Sequence, residues 1–218
     1  MTSPYRVVLG AAFDELHPRL RTYFDAIPAG AVGRGSGVFE TVGTPRRWLW
    51  PVLAWFGRAH VMFPVWERDV RFTVANRAVA AGDGSPAVAA ARSFELRGRG
   101  GGRRRSGGRS ALMVDQIGVS GCVLIDRLGD PVLAEAAFRA TVREGALRLR
   151  SSDVRLVIRG RRVPIPRVIA PVVVLTERWD DETEHQQVSI VVALPVIGRI
   201  YQYSGRFRYG IEEGERSE

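Results

Sequence analysis

Residues 171–209 show the most regular alternation of apolar and polar positions in the chain. Three runs within this stretch repeat with a period of two, which is the period that a pleated strand imposes on its side chains. The connections between the runs, at 180–184 and 195–198, are short enough to join antiparallel neighbours. We therefore predict a three-stranded antiparallel meander.

Each predicted strand of the meander has one apolar face, and a single carboxylate, that of Glu177, falls on such a face. The apolar faces carry Val173, Leu175, Glu177 and Trp179, then Val188, Ile190, Val192 and Leu194, and finally Tyr201, Tyr203, Gly205, Phe207 and Tyr209. A buried carboxylate has to be paired or protonated. We expect Arg155 or Arg206 to pair with Glu177, and we favour a structural salt bridge over a functional carboxylate.

The same period of two recurs through most of the chain. It predicts further strands at 38–42, 70–74, 89–96, 112–117, 121–128, 133–142 and 146–159. The phase of the last of these changes near Ser151 and Ser152, which indicates a β-bulge. The glycine-rich residues 29–37 are interpreted as a turn region, and the three prolines of 161–171 indicate a rigid crossing segment.

Helical spacing is confined to the amino-terminal part. Ser3 and Pro4 form a helix start, and apolar residues then recur at helical intervals as far as Leu16. Because the residue before a proline resists the α region, His17 and Pro18 end this helix and open a second, short one.

Residues 44–66 form the most apolar segment and predict one aromatic helix. Trp48, Val52 and Trp55 share a helical face, but Pro51 and Gly57 make the helix too short to span a bilayer. Three interpretations remain open: tryptophans buried in the core, a lid helix over a barrel mouth, or an interfacial membrane helix with Arg46 and Arg47 at the lipid headgroups.

Length and cysteine content favour one domain in a reducing compartment. We predict a single domain over 1–211 of the 218 residues and a disordered tail at 212–218. Cys122 is the only cysteine, so no internal disulfide forms, and we expect its side chain to be a small buried apolar group. We find no signal peptide and expect a cytoplasmic protein.

The net charge of +9 is concentrated in one loop. All 32 basic residues are arginine, a bias typical of GC-rich genomes, and six of them lie in 97–109. This segment is rich in glycine and serine, so we predict a mobile loop. Since no aromatic residue interrupts it to stack on bases, a solvated hairpin tip is favoured and nucleic-acid binding is not expected.

Recognisable catalytic and cofactor motifs are missing from the sequence. His17, His60 and His185 lack the close spacing of metal ligands, so we expect no metal. Neither the glycines at 29–37 nor those at 98–102 combine a preceding strand with a following helix, so we expect no nucleotide and no other cofactor. No nucleophile elbow or cysteine–histidine arrangement is present.

The carboxyl-terminal motifs resemble those of a bacterial family called domain of unknown function 4166. The resemblance rests on residues 160–171, on Glu177, and on residues 193–198 and 201–205, and residues 9–18 and 63–64 also match. It implies no catalytic residues, because the family is uncharacterised. Members occur alone or behind an oxidoreductase domain of the saccharopine-dehydrogenase type, which implies a possible NAD(P)-dependent oxidoreductase partner.

Together these patterns predict an α+β domain. Its core is a strongly curved antiparallel β-sheet or barrel of roughly nine strands, with short N-terminal helices and one aromatic helix packed on it. The leading hypothesis is non-catalytic binding of a hydrophobic small molecule or lipid in a barrel-like cavity. The predicted cavity is lined by Trp48, Trp55, Phe72, Trp179, Tyr201 and Tyr203, with Glu177 as a polar anchor.

Three alternatives to this hypothesis remain. One is an accessory or interaction domain that acts with an oxidoreductase. The second is an enzyme that uses Glu177 as an acid or base. The third is peripheral contact with a membrane through Arg46, Arg47 and the tryptophans.

Overall fold

The computed structural model describes residues 2–97 and 108–213 and consists largely of β-strands. The strands are β1 (Ala31–Gly43), β2 (Trp66–Glu67), β3 (Val70–Ala80), β4 (Pro86–Leu96), β5 (Arg109–Ser120), β6 (Val123–Leu128), β7 (Ala134–Arg143), β8 (Ala146–Ile158), β9 (Arg161–Pro164), β10 (Val172–Asp180), β11 (His185–Leu194) and β12 (Gly198–Glu213). The predicted meander is confirmed as β10 to β12.

Ten of these strands close into an antiparallel barrel. Each barrel strand pairs with its neighbours in the order β1, β3, β4, β5, β6, β7, β8, β10, β11 and β12, and β12 pairs with β1. The short strands β2 and β9 lie outside the barrel, on β1 and β8. The prediction of a barrel is confirmed, but the predicted number of about nine strands is too low.

Residues 29 and 30 form the predicted turn, but residues 31–37 are part of β1, so their interpretation as a turn region is wrong. Gly33, Gly35 and Gly37 alternate along the interior face of β1, and the Tyr209 side chain, Val74 of β3 and the backbone of β12 occupy the space that their side chains would fill. A Cβ atom at Gly33 would lie 1.5 Å from the hydroxyl oxygen of Tyr209. The alternation of these glycines is itself a period of two.

The N-terminal helices cover one end of the barrel. They comprise α1 (Pro4–Leu9), a 3-10 turn (Gly10–Glu15) and α2 (Pro18–Phe24), so the predicted helices are confirmed. The Ser3 hydroxyl caps α1 by accepting from the Tyr5 amide at 3.2 Å, and it donates to the Phe24 carbonyl. The Gly145 carbonyl, in the turn between β7 and β8, accepts from the His17 amide at 3.0 Å.

The aromatic segment covers the opposite end, which we call the α3 end. It contains a 3-10 turn (Arg47–Leu49) and α3 (Trp50–Gly57). The carbonyl of His60 accepts from the Val114 amide, and that of Ala59 accepts from the Asp130 amide, both at 2.9 Å. These bonds fix the segment to the middle of β5 and to the turn after β6. No helix in the described ranges, 2–97 and 108–213, has the length and apolar character needed to cross a membrane.

Two clusters of buried side chains fill most of the barrel. The first lies towards the α3 end around Phe39, Phe72 and Phe94, and the second packs beneath the N-terminal helices around Phe13 and Leu147. The first cluster also contains Tyr201, Tyr203 and Phe207 of β12. The aromatic face predicted for β12 therefore lies inside the barrel.

Smaller predictions have mixed outcomes. The bulge is confirmed, because the register of β7 against β8 passes from Asp153 to Ser151 and leaves Ser152 as the extra residue. Cys122 is exposed in the turn after β5, so its predicted burial is wrong. Most of the arginine-rich loop, residues 98–107, lies outside the described residues, as do residues 214–218 of the predicted tail, whereas β12 includes residues 212 and 213.

Candidate functional site

A cavity of about 170 Å³ lies inside the barrel between the two core clusters. Members of both clusters line it, among them Met113, Phe138 and Leu149. At the α3 end it reaches Phe56 of α3, Met62 just after this helix, and Ile165 and Pro171 of the crossing segment. Most of its wall is therefore apolar.

One corner of this wall is polar and is formed by Arg92, Asp115 and Asp126. They lie on the neighbouring strands β4, β5 and β6. The registers of Ala90 opposite Asp115, and of Ile117 opposite Asp126, make the three side chains diagonal neighbours on the interior face. We call these three residues the polar corner.

Arg92 and Asp115 form an ion pair, because Nη1 of Arg92 donates to Oδ1 of Asp115. Within the described part of the chain, Oδ1 of Asp126 is buried and has no hydrogen-bond partner. Burial raises the pKa of Asp126 well above its usual range, and the adjacent Asp115 carboxylate raises it further, although Arg92 opposes the shift. Burial and the neighbouring Asp115 carboxylate therefore both favour the neutral acid form of Asp126, while Arg92 and Asp115 balance each other's charge.

Two of the seven predicted site residues, Tyr201 and Tyr203, line the cavity. Phe72 instead stacks on Phe39, with ring centroids 3.9 Å apart. Trp179 lies at the other end of the barrel, where its ring stacks on His17 at a centroid distance of 6.0 Å.

Trp48 and Trp55 do not line the cavity, and both residues are exposed at the α3 end. The interpretation that placed these tryptophans in the core is therefore wrong for both residues. Hydrogen bonds from Arg46 hold the start of their segment in position. The Arg46 guanidinium donates to the carbonyls of Ile197 at 2.9 Å and Arg199 at 3.0 Å.

Glu177 is buried on the interior face of β10, but it does not line this cavity. Its carboxylate accepts a hydrogen bond from the Gln186 side chain on β11, so the predicted pairing with Arg155 or Arg206 is wrong. Arg206 belongs to the outer face of β12, and Arg155 pairs with Asp153 at 2.6 Å. Burial raises the pKa of Glu177 to about 7, and the bond from Gln186 works against that shift.

The polar corner escaped the sequence-based prediction although a signal for it exists. Arg92 is in phase with Ala90 and Phe94, just as Glu177 is in phase with its own apolar neighbours. Asp115 and Asp126 stand in the same way on the apolar faces of β5 and β6. A charged residue on the apolar face of each of three successive strands indicates a polar group inside a barrel.

Acidic, histidine and cysteine side chains do not gather into a metal site in the part of the chain that the structure describes. The candidate site is therefore the apolar cavity with its polar corner.

The family model described as Domain of unknown function (DUF4166) matches residues 16–207. The matched range contains the whole cavity lining and begins within the N-terminal helical region. Searches of curated proteins and of solved structures give no match.

Proposed function

The chain belongs to the DUF4166 family, and we propose that it binds a small, neutral, largely apolar molecule inside its barrel. The observation that carries this proposal is the cavity, in which an apolar wall surrounds one polar corner. Ligand pockets in proteins commonly combine such walls with a few polar groups that fix the orientation of the ligand.

The volume of the cavity limits the ligand. An apolar cavity of about 150 Å³ holds benzene. A cavity of about 170 Å³ therefore holds a single ring with a short substituent, or the end of an acyl chain, without any movement of its walls. Larger hydrophobic molecules bind only if residues at the α3 end, such as Met62 and Ile165, give way.

The charge of the polar corner also limits the ligand. Arg92 and Asp115 compensate each other's charge, and burial raises the pKa of Asp126, which favours its neutral acid form. An anionic ligand would bring an uncompensated charge into an apolar interior, which is unfavourable. A carbonyl or hydroxyl group suits the corner, because the Asp126 carboxylic acid both donates and accepts.

Three ligands of similar size test the proposal by calorimetric titration at pH 7: acetophenone, ethylbenzene and benzoate. We expect acetophenone to bind most tightly. Ethylbenzene lacks the carbonyl group and should bind about fivefold more weakly, the effect of one hydrogen bond of about 1 kcal/mol. Benzoate should bind most weakly because of its charge.

A matched pair of variants on β7 tests whether the ligand binds inside the barrel. Ala136 is buried against the cavity, whereas Ala137 belongs to the outer face of the same strand. Ala136→Leu should fill the cavity and abolish acetophenone binding, and Ala137→Leu should leave it unchanged. Tightest binding of benzoate, or full affinity in Ala136→Leu, would contradict the proposal.

A further inference from the structure

The α3 end carries an exposed apolar rim formed by Trp48, Val52, Trp55, Val168, Ile169 and Val196. Trp48 is 60% exposed and Val168 is 77% exposed. Single exposed apolar residues are ordinary, but a group of them on one surface marks an interaction site.

Three separate segments bring these residues to the same end of the barrel. The first contains α3 and follows β1, the second is the crossing segment before β10, and the third is the turn between β11 and β12. The register of Val172 opposite Ala193 places the second and third segments side by side. The hydrogen bonds from Arg46 to the carbonyls of Ile197 and Arg199 join the first segment to the third.

The charge of these segments has one sign. Residues 44–66, 164–171 and 194–200 contain Arg46, Arg47, Arg58, Arg167 and Arg199 and no aspartate or glutamate. All of these arginines except Arg46 are exposed. The carboxylates Glu67, Asp69 and Asp130 at this end of the barrel stand outside the three segments.

The opposite end differs in charge. There the turn between β10 and β11 carries Asp181, Glu182 and Glu184, all of them exposed, next to the N-terminal helices. The molecule is therefore polarised along the barrel axis, with an apolar and basic α3 end and an acidic turn at the other end.

We propose that the apolar rim docks on an anionic lipid surface. Tryptophan and aliphatic side chains flanked by arginines are typical of segments that insert at the boundary between headgroups and acyl chains. The arginines add attraction to anionic headgroups, which is worth about fivefold in affinity for each residue near the surface. If the barrel binds an apolar ligand as proposed above, the docked orientation places the cavity end nearest the membrane, where such a ligand dissolves.

Vesicle sedimentation tests the docking. We expect the chain to sediment with vesicles of phosphatidylcholine containing phosphatidylglycerol and much less with vesicles of phosphatidylcholine alone. Val168→Asp should weaken binding to the anionic vesicles by about tenfold or more, because a charge enters the inserted surface. Val7→Asp is the matched control, since Val7 is an exposed valine at the N-terminal end, and it should leave binding unchanged.

A second matched pair tests the charge. Arg167→Gln should weaken binding to the anionic vesicles by about fivefold. Arg139→Gln, at an exposed position on the outer wall of the barrel, should have no effect. Lack of sedimentation with both kinds of vesicle, or equal effects of Val168→Asp and Val7→Asp, would overturn the proposal. Loss of a dimer in Val168→Asp without vesicle binding would overturn it in favour of a second copy of the chain.

The same variants separate this proposal from ligand binding. Val168→Asp should keep its affinity for acetophenone, and Ala136→Leu should keep its affinity for vesicles. Far-ultraviolet circular dichroism of each variant confirms that the barrel is folded. Vesicle binding that disappears in Ala136→Leu would contradict docking through the rim.

Discussion

At the scale of single residues, the barrel interior holds carboxyl groups whose protonation depends on burial. Glu177 lies among mostly apolar neighbours, receives a hydrogen bond from Gln186, and has the Arg92 guanidinium in the same part of the interior. Burial disfavours its charged form, and its pKa rises from 4.5 to about 7. The ionised group is therefore a destabilising element of the fold at neutral and alkaline pH.

Glu177→Gln should stabilise the protein at pH 8. In the wild type the contribution of Glu177 to stability is fully present below about pH 4.5, where both the folded and unfolded states bind the proton. It is lost as the pH rises through about 7, because the unfolded state releases this proton first. A glutamine is neutral throughout and still accepts from Gln186, so the gain at pH 8 should reach up to about 3 kcal/mol.

Urea unfolding at pH 4.5 and pH 8 measures this difference. The free energies of unfolding of wild type and Glu177→Gln should approach each other at the lower pH. Asp126 is unchanged in both proteins, so its own pH dependence cancels in the comparison. Glu182→Gln, in the exposed turn before β11, serves as the control and should show no pH-dependent gain. A variant less stable than wild type at pH 8 would show that the Glu177 carboxylate is favourably held.

At the scale of secondary-structure elements, the contact between β1 and β12 depends on missing side chains. Phe207 and Tyr209 of β12 fill the barrel beside Gly35, Gly37 and Gly33 of β1. A Cβ atom at Gly37 would lie 2.1 Å from the Arg206 carbonyl oxygen, which belongs to the backbone. The strands therefore approach each other more closely at Gly37 than any residue with a side chain allows.

Gly37→Ala should destabilise the protein more than Gly33→Ala. The clash at Gly37 is with the backbone of β12, so relief requires a shift of the strand, and we expect a loss of about 3 kcal/mol. At Gly33 the clash is with the end of the Tyr209 side chain, which moves more easily, and we expect a loss of about 1 kcal/mol.

Urea unfolding of three alanine variants checks this order. Gly210→Ala is the control, because a Cβ atom there meets nothing within 4 Å, and its free energy of unfolding should stay close to that of wild type. Combining Gly33→Ala with Tyr209→Ala should remove the clash. Equal losses at positions 33 and 37 would show that β12 adjusts as readily as a side chain.

The glycines of β1 also show how far the sequence predicts this fold. Alternating apolar residues predict the meander and the bulge, because the period of two is a property of the strand itself. Gly33, Gly35 and Gly37 carry no hydrophobicity, so their alternation is mistaken for a turn until Phe207 and Tyr209 are placed opposite them. The hydrogen-bond partner of Glu177 is also predicted wrongly, because Gln186 comes within reach only through the register of β11 against β10.

The candidate site depends even more on strand register. Tyr201 and Tyr203 were predicted correctly as inward-facing residues, because alternation alone determines their side of the sheet. Arg92, Asp115 and Asp126 form a group only when β4, β5 and β6 are neighbours in the barrel. Whether a barrel keeps a cavity depends on the volumes of side chains from many strands, and no local pattern contains that information.

At the scale of the whole molecule, the shortest ladder of the barrel lies between β8 and β10. Their ladder extends only from Leu147 to Arg150 on β8, whereas the ladder between β1 and β12 runs from Ala31 to Gly43 on β1. Beyond the bulge at Ser152, β8 pairs with β9 instead. The Ser151 hydroxyl extends the short ladder by accepting from the Val173 amide at 2.9 Å.

Ser151→Ala should loosen this seam selectively. It removes the hydroxyl acceptor of the Val173 amide, and the loss of one hydrogen bond of about 1 kcal/mol should speed amide hydrogen exchange in residues 172–177 about fivefold. Ser152→Ala is the matched control. The Ser152 hydroxyl donates to the Ala137 carbonyl on β7 at 3.2 Å, on the other side of β8, so exchange in residues 172–177 should be unchanged.

The amides of β1 and β12 distinguish local opening from global unfolding. If the barrel opens first between β8 and β10, their hydrogen exchange should stay slow in both variants. Equal acceleration of both ladders by Ser151→Ala would mean that the barrel opens as one cooperative unit, despite the short ladder at this seam.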